Sequence, residues 1–209
     1  MDLRAEGYAL LSECYKEPTQ TFAADVAAGR LDARLRAVFE SLGVPDPPAL
    51  GVPGAADDVC AALTGEFHAL FSVPSVEHFV LPVESAFKDW TEGSPLLDAR
   101  VTGLIMGAPA TDMLRRYAAR GLVLPDAFKD RPDHLALLLE YGALLCEWGE
   151  TEEQHEFVRT HLDRWVTAFR DEVQAKSTST FYRAVTAATL AFLEAERAHL
   201  AIPDGCSPG

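Results

Sequence analysis

The sequence predicts an all-α protein that forms a single helical-bundle domain with a long ordered loop. Three observations support this fold class. Apolar residues recur with the 3.6-residue helical period along almost every long segment, no alternating stretch is long enough for a sheet, and Pro and Gly concentrate in two interruptions. With 209 residues, of which 48% are hydrophobic, the chain can bury a core within one domain. We expect this all-helical domain to span residues 1–203 and a flexible tail to follow over 204–209.

Three helices are expected in the N-terminal part of the chain. The apolar positions indicate a first helix that ends at Pro18 and a second helix, over residues 20–41, that ends at Gly43. A Pro-rich spacer follows over residues 44–54. The third helix is amphipathic, and Phe67 and Phe71 fall on its apolar stripe, so we expect both in the core.

The C-terminal half is expected to contain the central helix and two others. Residues 135–148 are apolar around nearly the whole helical circumference, which predicts a helix enclosed on all sides. Thr151 and Gln154 resemble a capping box that starts the next helix, whose apolar stripe extends over residues 158–173. A last helix has its buried side over residues 181–193.

Charge and composition restrict the possible partners. The formal net charge of −14 argues against general binding to nucleic acid or to an anionic membrane surface, and a cationic partner is its natural complement. No run approaches the roughly 18 apolar residues of a membrane-spanning helix, so stable membrane insertion is not expected. The four cysteines are far apart and form no CxxC pair, which fits reduced thiols in a cytoplasmic protein.

The sequence lacks the motifs that carry enzymatic chemistry. His155 and His161 are six residues apart, whereas a helical zinc site of the metalloprotease type needs two histidines four residues apart on one face. The sequence contains no phosphate loop, dinucleotide fingerprint or nucleophile elbow. We therefore expect a binding protein with no catalytic residues, no metal and no cofactor.

Three segments, in chain order, resemble the TorD/DmsD family of redox-enzyme maturation chaperones, to which the NarJ proteins are related. They are EFHALFSVP at 66–74, LPVESAF at 81–87 and RPDHLALLLEYGALL at 131–145. The resemblance covers residues 5–200 and implies an all-α fold of the TorD/DmsD type. It also implies a cytoplasmic chaperone that binds an apo-molybdopterin oxidoreductase subunit, through its twin-arginine signal peptide, until the cofactor is inserted.

The resemblance places the client-binding residues in two of these segments. A receptor for a twin-arginine signal needs carboxylates beside exposed apolar side chains, and the loop after residue 73 contains both. Glu84, Asp89 and Glu92 could face the arginines, while Phe79, Phe87 and Trp90 line a groove. Alternatively, Phe87 and Trp90 pack the loop onto the bundle and the acids are solvated. The expected site comprises Phe79, Pro82, Glu84, Ser85, Phe87, Asp89, Trp90, Pro132, Asp133 and His134.

The helix entrance at residues 132–134 has a structural interpretation as well as a binding one. Asp133 is expected to be the N-cap of the central helix, with His134 in its first turn. Two other functions stay open: a nucleotide-binding helical protein, because GTP binding is associated with the family, and a permanent assembly subunit of a redox complex. A monomer and a helix-exchanged homodimer with a hinge at residues 44–54 also stay open.

Overall fold

Ten α-helices follow one another along the residues that this computed structural model describes, which are 2–45, 47–72, 77–88, 105–163 and 165–201. The helices are α1 (Leu3–Glu13), α2 (Gln20–Ala27), α3 (Arg30–Ser41), α4 (Ala56–Phe67), α5 (Glu84–Phe87), α6 (Ala108–Ala119), α7 (Leu135–Trp148), α8 (Thr151–Phe157), α9 (Trp165–Lys176) and α10 (Thr180–Leu200). Two π-helical turns extend α4 and α8, namely His68–Ser72 and Val158–Leu162. In these ranges the only β-type pairing is one isolated bridge, so the all-α prediction is confirmed.

Helix α7 is buried over most of its length, as predicted, although Glu147 and Trp148 in its last turn are exposed, and α1 packs closely against it. Gly142 of α7 faces the Tyr8 ring, and a Cβ atom added at this glycine would lie 2.8 Å from a ring carbon. The Ser12 hydroxyl of α1 donates a hydrogen bond of 2.8 Å to the Ala136 carbonyl of α7. The absence of a side chain at Gly142 therefore lets the first helix sit against the central one.

The segment over residues 20–41 is two helices, so the prediction of a single helix is wrong. Gly29 adopts a left-handed conformation with φ of 68°, which ends α2 and redirects the chain into α3. The prediction for Phe71 is confirmed because this ring is buried, and Phe67 is partly buried and packs against the core.

The predicted start and continuity of the helix after residue 150 also differ from the structure. Thr151 is the first residue of α8 and not its cap, while the buried Gln154 donates to the Cys146 sulfur at 2.8 Å. After the π-helical turn, the extended backbone at Asp163 separates this segment from α9. None of the helices in the described ranges combines the length and hydropathy needed to cross a membrane. The predicted tail over 204–209 lies outside the described residues.

Candidate functional site

The two predicted client-binding segments meet at the N-terminus of α7. The Leu135 N–H donates to the Pro82 carbonyl at 2.8 Å, and the Glu84 N–H donates to the Asp133 carbonyl at 3.1 Å. Between these bonds, Val83 and His134 form the isolated antiparallel bridge. The segment 79–88 is therefore fastened by its backbone to the start of the central helix.

Asp133 fixes this junction with its side chain. Its Oδ2 atom accepts a hydrogen bond of 2.8 Å from the Ser85 N–H and another from the Ser85 hydroxyl. Both residues are completely buried, and no aligned hydrogen-bond donor from the described residues reaches Asp133 Oδ1. Asp133 thus holds segment 79–88 against the start of α7.

The N-cap of α7 is His134, so the prediction of Asp133 as the cap is wrong. His134 Nδ1 accepts a hydrogen bond of 3.2 Å from the Ala136 N–H, which places the ring proton on Nε2. Burial, with a smaller contribution from the positive charge of Arg131, lowers the pKa of His134 from 6.5 to about 3. The ring is therefore neutral, and its edge-to-face contact with Phe128, 4.8 Å between centroids, holds it in place.

Glu84 lies inside the protein and not on its surface. Its side chain is 0% exposed, and its Oε2 atom lies 2.8 Å from Nδ1 of His161. Oε1 is ion-paired with the Lys88 ammonium, although no donor is aligned with it for a hydrogen bond. This placement argues against a direct contact between Glu84 and an arginine of a client.

A chain of charges continues from His161 into helix α6. His161 Nε2 lies 2.9 Å from Oδ2 of Asp112, and Arg116 Nε donates to the same oxygen at 2.7 Å. Burial alone would raise the pKa of Asp112, but the hydrogen bonds from Arg116 and His161 lower it to about 2. Arg116 also donates to Glu156 at 2.8 Å. This chain joins α5, α6 and the end of α8.

Sequence reasoning missed this cluster because its members come from distant segments. The i, i+4 pairing of Asp112 with Arg116 is a helical ion-pair signal that was available. For His161 the sequence shows only a six-residue separation from His155, which says nothing about Glu84 or Asp112. Within the described residues no group of His, Cys, Asp and Glu has an arrangement that could hold a metal ion.

The remaining predicted residues divide into packed and partly accessible ones. Phe87 is partly buried against Trp165 and Phe169, with ring centroids 5.7 Å and 5.9 Å away, which agrees with the packing interpretation. Phe79 is also partly buried, and its carbonyl accepts from Lys176. Pro82 and Pro132 are both buried. Asp89 and Trp90 lie outside the described residues.

An apolar groove of about 150 Å³ lies beside the helix entrance. Tyr117 connects the two places, since it lines the groove while its hydroxyl donates to the Pro132 carbonyl at 3.0 Å. Val123 at the groove is 91% exposed, and Glu140 supplies a partly exposed carboxylate. The lining residues are Tyr117, Leu122, Val123, Leu124, Pro125, Leu137, Glu140, Tyr141 and Leu144.

Residues 21–171 match the protein family described as nitrate reductase delta subunit. The chain is 28% identical over 156 residues to the chaperone protein TorD of Vibrio atlanticus, covering 69% of this chain and 67% of that protein. It is 29% identical over 93 residues to the TorD chaperone of Shewanella pealeana, covering 44% of this chain and 42% of the relative. The match to the TorD chaperone of Shewanella piezotolerans is also 29% identical over 93 residues, and it spans 43% of that protein. Less than half of the length of each Shewanella protein is therefore matched.

Proposed function

Because the chain belongs to the nitrate reductase delta subunit family and its relatives are named TorD chaperones, we propose that it is a cytoplasmic chaperone in the maturation of a molybdoenzyme. It binds the cofactor-free molybdopterin oxidoreductase subunit, through the subunit's twin-arginine signal peptide, and releases it when the cofactor is in place. It is a binding protein and not an enzyme. The observation that supports this proposal most directly is the junction of segment 79–88 with the start of α7, where the family-like segments converge.

The buried residues of this junction shape the binding surface without touching the client. Glu84, Ser85 and Asp133 are completely enclosed, so they hold the segment in place. The client meets the accessible parts of Phe79 and the groove beside Tyr117. Asp89 and Trp90 stay client contacts that the sequence alone predicts. In this arrangement the groove receives an apolar side chain of the signal peptide.

Electrostatic attraction supplies the selectivity for an arginine-containing peptide. The net charge of −14 attracts a cationic segment over a distance of about one Debye length, and raised salt weakens that attraction. Glu140 is the accessible carboxylate at the groove, where it also forms an ion pair with Lys16 at 2.5 Å. A basic side chain of the client competes with Lys16 for this carboxylate.

The test is calorimetric titration of the full chain with a twin-arginine signal peptide, and with the same peptide carrying two alanines in place of the arginines. We expect saturable binding of the first peptide, weaker binding of the second, and an affinity that falls as salt rises. Glu140→Gln should weaken binding, whereas Glu147→Gln, on an exposed position of the same helix, should not. No binding to the peptide or to the full-length cofactor-free subunit would refute the proposal.

A further inference from the structure

Both nitrogens of the His161 ring face hydrogen-bond acceptors, so each nitrogen needs an N–H to donate. Nδ1 lies 2.8 Å from a carboxylate oxygen of Glu84, and Nε2 lies 2.9 Å from one of Asp112. A neutral imidazole has a single N–H, so its second nitrogen would direct a lone pair at a carboxylate oxygen. Only the imidazolium donates to both sides. The side chain is 2% exposed, so water has little access to bridge the mismatch.

The His161 ring lies among charged groups from α5, α6 and α8. From α5 it meets Glu84, which Lys88 also contacts, and from α6 it meets Asp112, which both Arg115 and Arg116 contact. Arg116 also reaches Glu153 and Glu156 of α8. The atoms that face the two ring nitrogens are nevertheless both carboxylate oxygens, so each nitrogen meets an acceptor.

The backbone of His161 is held independently of its ring. The Trp165 indole N–H donates to the His161 carbonyl at 2.6 Å, and the Phe157 ring packs beside the imidazole with centroids 5.4 Å apart. Loss of the ring proton therefore cannot be relieved by a large movement of His161 itself. Helix α5 comprises only four residues, so we expect it to move before His161 does.

We propose that His161 is a positioning residue that, as an imidazolium, holds segment 82–88 against α6 and α8, and that loss of its proton loosens this segment. Glu84 is the residue through which the hold acts, since its backbone N–H is bonded to Asp133 and its carboxylate to His161. If the proposed chaperone function is correct, client affinity falls together with the order of this segment as pH rises.

The substitution Glu84→Gln separates this proposal from a simple packing role for the ring. A glutamine amide group can donate to Nδ1 of a neutral imidazole while its carbonyl oxygen accepts from Lys88. The neutral ring then keeps its Nε2 proton for Asp112, and both contacts persist without the extra charge. We therefore expect this variant to keep its hold on segment 82–88 when the ring is neutral, the state in which the unmodified chain loses it.

The experiment measures hydrogen-exchange protection factors of residues 82–88, corrected for intrinsic exchange, at about pH 6 and at about pH 8.5. We expect protection in the unmodified chain to fall about tenfold or more at the higher pH, the effect of losing one charge-assisted hydrogen bond. Glu84→Gln should keep its protection at the higher value. His155→Gln, which changes an exposed histidine of α8, should behave like the unmodified chain.

Nitrogen-15 NMR of the labelled ring gives a second measurement that needs no client. Both His161 nitrogens should be protonated at the lower pH, and only one at the higher pH, in step with the loss of protection. A singly protonated ring at both values, or protection that does not depend on pH, would overturn the proposal. If ring and segment behave as expected while no signal peptide binds, the positioning role stands and the chaperone proposal fails.

Discussion

Removing the Asp133 carboxylate should loosen the junction between segment 79–88 and helix α7. In Asp133→Ala, the Ser85 N–H and hydroxyl lose their common acceptor in a completely buried place. Asp133→Asn keeps an oxygen for these donors and removes only the charge. The two variants therefore separate the hydrogen bonds from the charge of the carboxylate.

The expected loss follows from the two hydrogen bonds that the Asp133 carboxylate accepts. A hydrogen bond to a charged group contributes about 1.5–3 kcal/mol, so removing both gives a decrease of about 3 kcal/mol or more in the free energy of unfolding. For a chain of this size, this corresponds to a fall of roughly 6–12 °C in the melting temperature. Asp133→Asn should lose about 1 kcal/mol, because an amide oxygen is the weaker acceptor.

Chemical denaturation followed by circular dichroism measures both variants, with Asp130→Ala, an exposed position three residues earlier, as the matched control. The control should stay within about 0.5 kcal/mol of the unmodified chain. Hydrogen exchange of residues 82–88 should rise in Asp133→Ala well before global unfolding. If Asp133→Ala is as stable as Asp130→Ala, the hydrogen bonds between Asp133 and Ser85 contribute nothing to the free energy of unfolding and the prediction is refuted.

Three further predictions concern the core and the pH response. Gly142→Ala should lower the free energy of unfolding by about 1–3 kcal/mol, because its Cβ would lie 2.8 Å from the buried Tyr8 ring. Gly65→Ala, in open space on α4, should instead raise the free energy of unfolding by about 0.5–1 kcal/mol. Denaturant titration compares the two variants. Arg4→Met should cost about 3–5 kcal/mol because it leaves Glu196 buried without its guanidinium partner, and equal midpoints for variant and parent would contradict this. His134 has a pKa lowered to about 3, so the unfolded chain binds a proton that the folded chain does not, and stability falls as pH drops from 6.5 toward 3. His134→Asn keeps a capping oxygen and should flatten the fall over that window, as melting temperatures across the range would reveal.

The sequence was sufficient for the fold class and the central helix because these follow from local periodicity. Residues 135–148 are apolar around nearly the whole helical circumference, which is the pattern of a helix enclosed by its neighbours. The break at Gly29 was missed because a lone glycine is compatible with a continuing helix, and its left-handed backbone is selected only when α2 and α3 dock separately.

The roles within the site were harder to predict because they depend on contacts between distant residues. Asp133 and His134 are neighbours, and either could cap a helix. The choice depends on Ser85, 48 residues earlier in the chain. Its N–H donates to the Asp133 carboxylate, and His134 therefore caps the helix. Glu84 is likewise held inside the protein by its contact with His161, 77 residues later in the chain.

The packing of α1 on α7 has a consequence for how the chain is synthesised. Ser12 and its partner Ala136 are 124 residues apart, which corresponds to about 6–25 s at ribosomal rates of about 5–20 residues per second. During this interval the apolar face of the first helix, with Tyr8 and Leu11, stays without α7, the helix that later buries it. Nascent chains that stop short of residue 135 should therefore remain open to proteases, and ribosome-bound fragments of increasing length should acquire resistance only after α7 has emerged.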